Sequence, residues 1–409
     1  MRKFIKIVVI FTTSCLALGV LLSIALRVIF PPAKLRELVL EQIRIKLQRE
    51  AQLGNADIGL TGLSLDRIRL SEVPAFSVGT FLAVDHLKIR WSLLPLLSRQ
   101  VVIQDITLEK PQINLIRMQD GVTYNVSDLA GATTTSGKTP VHHEKTSSAK
   151  AEHPRTAEAA AKTEWSWMVE QIHLSHGTIN FDDRSPAHQT SALSDIDLLI
   201  RDFDPTHIQG HLTIAQLQNP VYQARDFSTE WALHGIDPTL GHLNGWMKLK
   251  QGPGNVQNLT SLTNSSKSAK LALMPLVLLQ NVDKLGFVKL GLPDFSHFPI
   301  TNITGDYVFT NGTMKIQTFD IASPELSINA LGTIELVSGR LAVNVNMHAP
   351  KKSLLGETDL KLSISGTLSD PKTNLDDLKK KAFKATVNQL MKNPDVNKAI
   401  DNTLKQLFH

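Results

Sequence analysis

At 409 residues and 45.1 kDa the chain is too long for one ordinary core, and its length allows two or three units. A formal charge of +5, from 43 Lys and Arg against 38 Asp and Glu, is small and spread out, and aromatic residues make up only 6%, which excludes a basic nucleic-acid footprint and a row of stacking rings. The single cysteine, Cys15, excludes an intramolecular disulfide and a cysteine-based zinc site.

Residues 1–6, MRKFIK, form a short basic tail, and Ile7 to Leu26 is an uncharged, mostly apolar run of 20 residues. At about 1.5 Å per helical residue that run crosses a hydrocarbon core of about 30 Å, and it is longer than the apolar part of a cleaved signal peptide. A retained transmembrane anchor is therefore expected over 7–30. Arg2, Lys3 and Lys6 precede the run while Arg27, Lys34 and Arg36 follow it, so charge alone leaves its orientation nearly tied. Residues 31–130 then read as a helix and a β-unit. Pro32 opens the helix, over about 33–51, with Leu35, Leu38, Ile43 and Leu47 as an apolar stripe that covers a sheet end or lies on a membrane surface.

From 57 to 90 the pattern changes to short β-like pieces. Leu63, Leu65, Ile68 and Leu70 change parity, which predicts a turn or bulge near Asp66, while Leu87, Ile89 and Trp91 alternate cleanly. Ser92 to Leu97, with Pro95, predicts a short helical turn or loop. Two strand-like runs follow, Val101 to Leu108 and Gln112 to Arg117, separated by Pro111 and closed by a turn at Asp120-Gly121 and a return through Tyr124 and Val126. Val102, Ile106 and Leu108 share one parity against Asp105, Thr107 and Glu109, which predicts one dry and one wet face.

Small and polar residues dominate 131–164, too little apolar surface to offset chain ordering, so a flexible linker is expected there. A middle β-unit occupies 165–250. It opens with a hydrophobic stretch from Val169 to Phe181 with a turn at His176-Gly177, and continues with strands near Asp195 to Ile200, Gly210 to Leu217, Phe227 to Leu233 and Leu243 to Leu249. Their spacing predicts consecutive antiparallel strands. A polar interruption and a short apolar block, Leu271 to Leu279, fill 251–293. The C-terminal β-unit, 294–371, has the cleanest alternation. Leu326, Ile328 and Ala330, then Leu341, Val343, Val345 and Met347, then Leu360, Leu362 and Ile364 each face one way, against Asn344, Asn346, His348, Lys361, Ser363 and Ser365. Residues 372–409 read as two amphipathic helices, the first capped by Asn374.

There is no GxGxxG run, no nucleophile elbow and no HExxH, and GATTTSGKT at 131–139 has one residue too many between its glycines for a phosphate loop. His142, His143 and His153 sit in the polar linker without a rigid scaffold; Asp182 and Asp183 fit an exposed turn; His173 and His176 fit surface positions with local hydrogen bonds. No catalytic, metal or cofactor site is expected, and the chain does not read as an enzyme. Its many one-sided strands need a cover, either another sheet or a lipid chain held in a groove, where each methylene removed from water contributes about 0.8 kcal/mol. Alternation leaves a closed core and a lipid groove both open.

The stretch VDHLKIRWSLLPLLSRQVVIQDITLEKPQINLIRMQDGVTYNVSDL, after the LRELVLEQI helix, resembles the AsmA family of bacterial envelope proteins in its order of strand, leucine-rich turn, strand, proline and Asp-Gly. A second region, Gly305 to Pro371, with YVFTNGTMKI, GTIELVSGRL and the start of LSISGTLSDPKTNLD, resembles it again. The resemblance implies a mainly β fold: an elongated, twisted antiparallel sheet forming an open groove, with an N-terminal transmembrane helix and terminal amphipathic helices. It also implies a single-pass inner-membrane protein with residues 1–6 in the cytoplasm and the large portion in the periplasm. The expected function is lipid binding or phospholipid transfer in outer-membrane lipid homeostasis, with membrane phospholipids as partners, inner- or outer-membrane proteins as further partners, and no nucleic acid. A periplasmic scaffold or assembly factor for outer-membrane proteins is the main alternative, and an envelope hydrolase a weaker one. The candidate groove lining is Val102, Ile106, Leu108, Ile113, Leu115, Ile328, Val343, Val345, Leu360, Leu362 and Ile364, each of which would serve equally as ordinary sheet core.

Overall fold

Proline at a helix start loses nothing, because its missing N–H has no intrahelical partner there, and α1 (Pro32–Leu47) begins on such a residue. It ends at Gln48, whose φ of 52° lets its N–H bond the Arg44 carbonyl at 3.0 Å. The computed structural model describes residues 31–127, 166–258 apart from 187 and 205, 298–349 and 358–374. The expected anchor, the 131–164 linker with its glycines and histidines, the Leu271 block and the terminal helices beyond Asn374 lie outside them; Lys372 to Asn374, expected to open the first terminal helix, are corrected to strand, because they pair with the end of the preceding strand. Among the described residues no helix is long and apolar enough to cross a membrane.

The protein is mainly β and divides into two compact units: Met1–Ile172 with Phe181–His188, and His173–Asn180 with Gln189–His409. In the first unit, β1 (Ala51–Gln52) and β2 (Asn55–Gly59) both pair with β3 (Gly62–Ser71). β3 pairs with β4 (Thr80–Ser92), which pairs with β5 (Gln100–Glu109) and β6 (Gln112–Arg117), all antiparallel. The expected helical turn around Pro95 is a 3-10 turn, Leu94–Ser98. Leu35 of α1, with Val39 and Leu40, packs on Leu53, Ala56, Leu65, Ile68 and Val84. One position of the expected helix stripe is corrected: Leu38 is 43% exposed, because residues four apart share a face and Leu35 with Val39 fixes which face meets the sheet.

β7 (Ser166–Asp183) contributes residues to each unit. The second unit then runs through β8 (Thr190–Asp204), β9 (His207–Asn219), β10 (Tyr222–His234), β11 (Asn244–Gln251), β12 (Gly254–Val256), β13 (Phe298–Ile300), β14 (Asn302–Thr310), β15 (Thr313–Ala322), β16 (Ser327–Glu335), β17 (Leu341–Ala349), β18 (Thr358–Gly366) and β19 (Pro371–Asn374). Antiparallel pairing joins β8, β9, β10, β11, β14, β15, β16, β17, β18 and β19 in that order, while β12 pairs with β10 and β13 with β12. The expected consecutive antiparallel strands are present, and longer than their hydrophobic runs.

Several strands contain residues with left-handed backbone, among them Arg67 in β3 (φ 51°), His176 in β7 (φ 52°), Asp195 in β8 (φ 54°) and Asp226 in β10 (φ 53°). Such a residue turns the chain so that the alternation restarts one position out of phase. That is how Leu65, Ile68 and Leu70 are all buried despite their mixed parity, and it is the irregularity expected near Asp66. At His176-Gly177 the expectation of a turn is corrected: β7 runs on through the left-handed His176 without ending.

Candidate functional site

The registers of the second unit string side chains into rows that cross the strands. Ile200 of β8 stands opposite Gly210, then in turn come Trp231, Met247, Tyr307, Ile316, Gly332, Val343 and Ile364 of β18. The next row on the same face is Leu198, Leu212, Thr229, Leu249, Gly305, Phe319, Ala330, Val345 and Leu362. Neither row contains a charged residue. At about 4.8 Å between strands each row is about 38 Å long. On the reverse face the same strands carry charged neighbours such as Glu230, Lys248 and Asp306 in one row. The strands therefore have a dry and a wet side over their whole series.

Burial changes along the dry rows. From β15 to β18 they are closed: Ile316 is 9% exposed, Ala330 6%, Val343 8%, Val345 2%, Leu362 2% and Ile364 3%, in one cluster with Phe298, Ile321, Ile328 and Met347. From β8 to β11 the corresponding residues, Leu198, Ile200, Leu212, Thr229, Trp231, Met247 and Leu249, are only half-buried. Glycine keeps this part low and smooth. A Cβ on Gly210 would lie 2.7 Å from the Trp231 ring, so the indole lies over the glycine, and a Cβ on Gly305 would meet the Tyr307 ring at 2.7 Å. Burial also pushes the Tyr307 phenol up to about 12.

The candidate lining residues fall in two places. Ile328, Val343, Val345, Leu362 and Ile364 belong to the closed cluster, and Leu360 lies on the same strand opposite Met347. In the first unit Ile106 pairs with Ile89, Leu108 with Leu87, and Ile113 with Leu82, and these three candidates and Leu115 are half-buried. The shared face expected for Val102, Ile106 and Leu108 is corrected. Arg90 pairs with Asp105 but Trp91 with Ile103, so Gln104 is an extra residue and Val102, opposite Ser92, changes face. Val102 thus lies on the side of Asp105 and Thr107. The half-buried residues of β8 to β11 were not among the expected lining, although the alternation of Phe227, Thr229, Trp231 and Leu233 was legible.

Polar groups outside the rows form structural links. Asp183, expected in an exposed turn, is instead 6% exposed; its carboxylate accepts the Ser185 N–H at 2.9 Å and faces the Arg117 guanidinium at 3.3 Å. His176, Asp195 and Asp197 bring three possible ligand atoms within 4.8 Å. The His176 ring meets Asp195 at 2.7 Å and its backbone N–H donates to Asp197 at 3.1 Å, so the group is accounted for as a hydrogen-bonded clasp around two left-handed residues.

An uncharged sheet face in a chain of this organisation agrees with one family comparison: the model of the AsmA family matches residues 1–399. The chain belongs to the AsmA family. No curated protein matches it. Both stretches on which the resemblance was drawn lie inside the AsmA match, the first covering β4 to β6 and the second running from β14 to β19. Membership is consistent with a role in the envelope and its lipids, and it brings no catalytic residue with it.

Proposed function

We propose that this AsmA-family chain is a non-enzymatic, membrane-anchored lipid carrier of the periplasm, which shields phospholipid acyl chains against its sheet in an open groove while headgroups stay in water. The observation that carries the reading is the pair of uncharged rows that stay half-buried from β8 to β11. An acyl chain laid there removes apolar surface on both partners from water, worth about 0.8 kcal/mol per methylene, and meets no buried charge. The closed cluster from β15 to β18 is sheet core in this reading, so the groove narrows or ends there. The uncharged run at residues 7–26 would hold the chain at the inner membrane. With no nucleotide-binding motif in the sequence, direction must come from elsewhere.

The test places a photo-reactive amino acid at Leu212 or Leu249 on the dry face, or at Lys248 on the wet face, of the full-length protein in cells. Mass spectrometry then reads the adducts. Phospholipid adducts at the first two positions and not at the third are expected; equal labelling of both faces, or none, would overturn the carrier. Protein adducts alone at Leu212 and Leu249 would instead favour the scaffold.

A further inference from the structure

The first unit holds a cleft of its own. A cleft of about 660 Å³ opens between the last turns of α1 and the connection from β3 to β4. Glu37, Glu41 and Arg44 line it from one helix face, at i, i+4 and i+7, with Leu40 beside them. Glu50 and Phe76 line it from beyond the helix, and the Phe76 N–H donates to the Glu50 carboxylate at 3.1 Å, which fixes that carboxylate in place. Val73 and Val78, on the same connection, are 49% and 57% exposed.

The charges decide what fits. Three carboxylates and one exposed guanidinium, Arg44, line the cleft, and its other arginine, Arg49, is matched by Glu72 at 3.8 Å. A net anionic head is repelled. A primary ammonium suits the carboxylates, which only accept hydrogen bonds, and a phosphodiester on the same ligand suits Arg44. A quaternary ammonium lacks the N–H groups to use them. The apolar Leu40, Phe76 and the neighbouring valines offer a surface for the start of an acyl chain. α1 has 16 residues, so the cleft is within about 24 Å of the point where the chain leaves residues 7–30.

We propose that this cleft binds the headgroup of a zwitterionic aminophospholipid, with the ammonium at Glu37, Glu41 and Glu50 and the phosphate at Arg44, and so selects the lipid offered to the sheet. The selection step rests on the carrier reading above; the headgroup site does not.

Full-length protein is incubated with detergent micelles holding equal amounts of phosphatidylethanolamine and phosphatidylglycerol, and bound lipid is read by native mass spectrometry. Each exposed carboxylate–ammonium contact contributes a factor of about two to five. Phosphatidylethanolamine should therefore be enriched several-fold, and Glu37→Gln with Glu41→Gln should bring the ratio close to one with total lipid unchanged. Equal adducts on the wild-type protein, or an unchanged ratio in the double variant, would overturn the headgroup site and leave the carrier standing. Phosphoethanolamine, which has no acyl chains, separates the two readings further. Its binding to a Leu212→Asp protein that has lost lipid supports the cleft where the carrier fails, and no binding of it to the wild-type protein, at millimolar concentration, counts against the cleft alone.

Discussion

Arg49 and Asn125 are 76 positions apart in the sequence, and the buried guanidinium of the first donates to the backbone carbonyl of the second. The same guanidinium donates to the Ser71 carbonyl at 3.0 Å, faces Glu72 at 3.8 Å and lies over the Phe81 ring at 4.6 Å. Asn125 returns the contact: its amide donates to Glu72 at 2.7 Å and to the Asn114 carbonyl at 2.8 Å, and its side-chain oxygen accepts the Ile116 N–H at 3.0 Å. One network thus joins the end of α1, the connection after β3, and β6.

Removing one partner of a buried charge pair leaves the other uncompensated, at a cost of about 3–5 kcal/mol. Arg49→Met should lower the stability of the first unit by that amount, since Glu72 is only 4% exposed. Adding Glu72→Gln should restore part of the loss, because the stranded charge is then gone. Chemical denaturation of the three proteins checks both steps, and a single variant within about 1 kcal/mol of wild type would mean that the network does not hold the unit.

The closed and half-buried parts of the dry rows should respond differently to truncation. Leu362, 2% exposed, should lose about 2–5 kcal/mol on change to Ala, because a cavity is left in a packed cluster. Leu212 is half-buried, so Leu212→Ala removes less buried surface and leaves no sealed cavity; a loss of about 1 kcal/mol is expected. Denaturation midpoints measured in lipid-free protein decide it. Equal losses would mean that Leu212 is as enclosed as Leu362.

How much of this was legible in the sequence depended on whether alternation ran unbroken. In β17 and β18 it did, and Val343, Val345, Leu362 and Ile364 are buried as expected. In β5 a single extra residue, Gln104, moved Val102 to the other face, and nothing in a chain of β-formers marks which residue will bulge. Left-handed residues at Arg67 and Asp195 interrupt the strand without adding a residue, since the registers run unshifted past both; the first was traceable because two apolar residues on each side disagreed in parity. The rows themselves depend on registers between strands well separated in sequence, such as β11 and β14, where Leu249 meets Gly305, which no local pattern specifies. The Arg49 network was invisible for the same reason.

The tyrosines give an alkaline test. Burial pushes both Tyr222 and Tyr307 up to about 12, although the hydroxyl of Tyr222 also bonds the Gln251 side chain at 2.7 Å, which opposes the shift. A phenol whose folded value lies above its unfolded value of about 10 favours the folded state below the unfolded value, and that contribution is lost as pH rises through the folded one. Stability should therefore decline between about pH 10 and pH 12, and Tyr222→Phe with Tyr307→Phe should flatten the decline. Phenolate absorbance followed alongside circular dichroism measures both; ionisation of both rings near pH 10 in folded protein would contradict their burial.

Asp183 predicts the opposite behaviour in acid. The Ser185 hydroxyl first, then the Ser185 N–H and the Arg117 guanidinium, hold its carboxyl below the ordinary carboxylate value, against the opposing effect of burial. With the folded value below the unfolded one of about 3.9, the group stabilises the first unit at every pH above the unfolded value and stops doing so as pH falls through the folded value. Asp183→Asn keeps the shape but cannot ionise. The variant should be less stable than wild type at neutral pH, and the gap should close below about pH 4. Arg117→Gln should narrow the gap at neutral pH, since Arg117 is the cation that Asp183 faces at 3.3 Å. Urea midpoints for the three proteins between pH 2.5 and 7 decide the case, and a wild-type-to-Asn gap that stays constant across that range would show that the Asp183 charge does not contribute to holding the unit together.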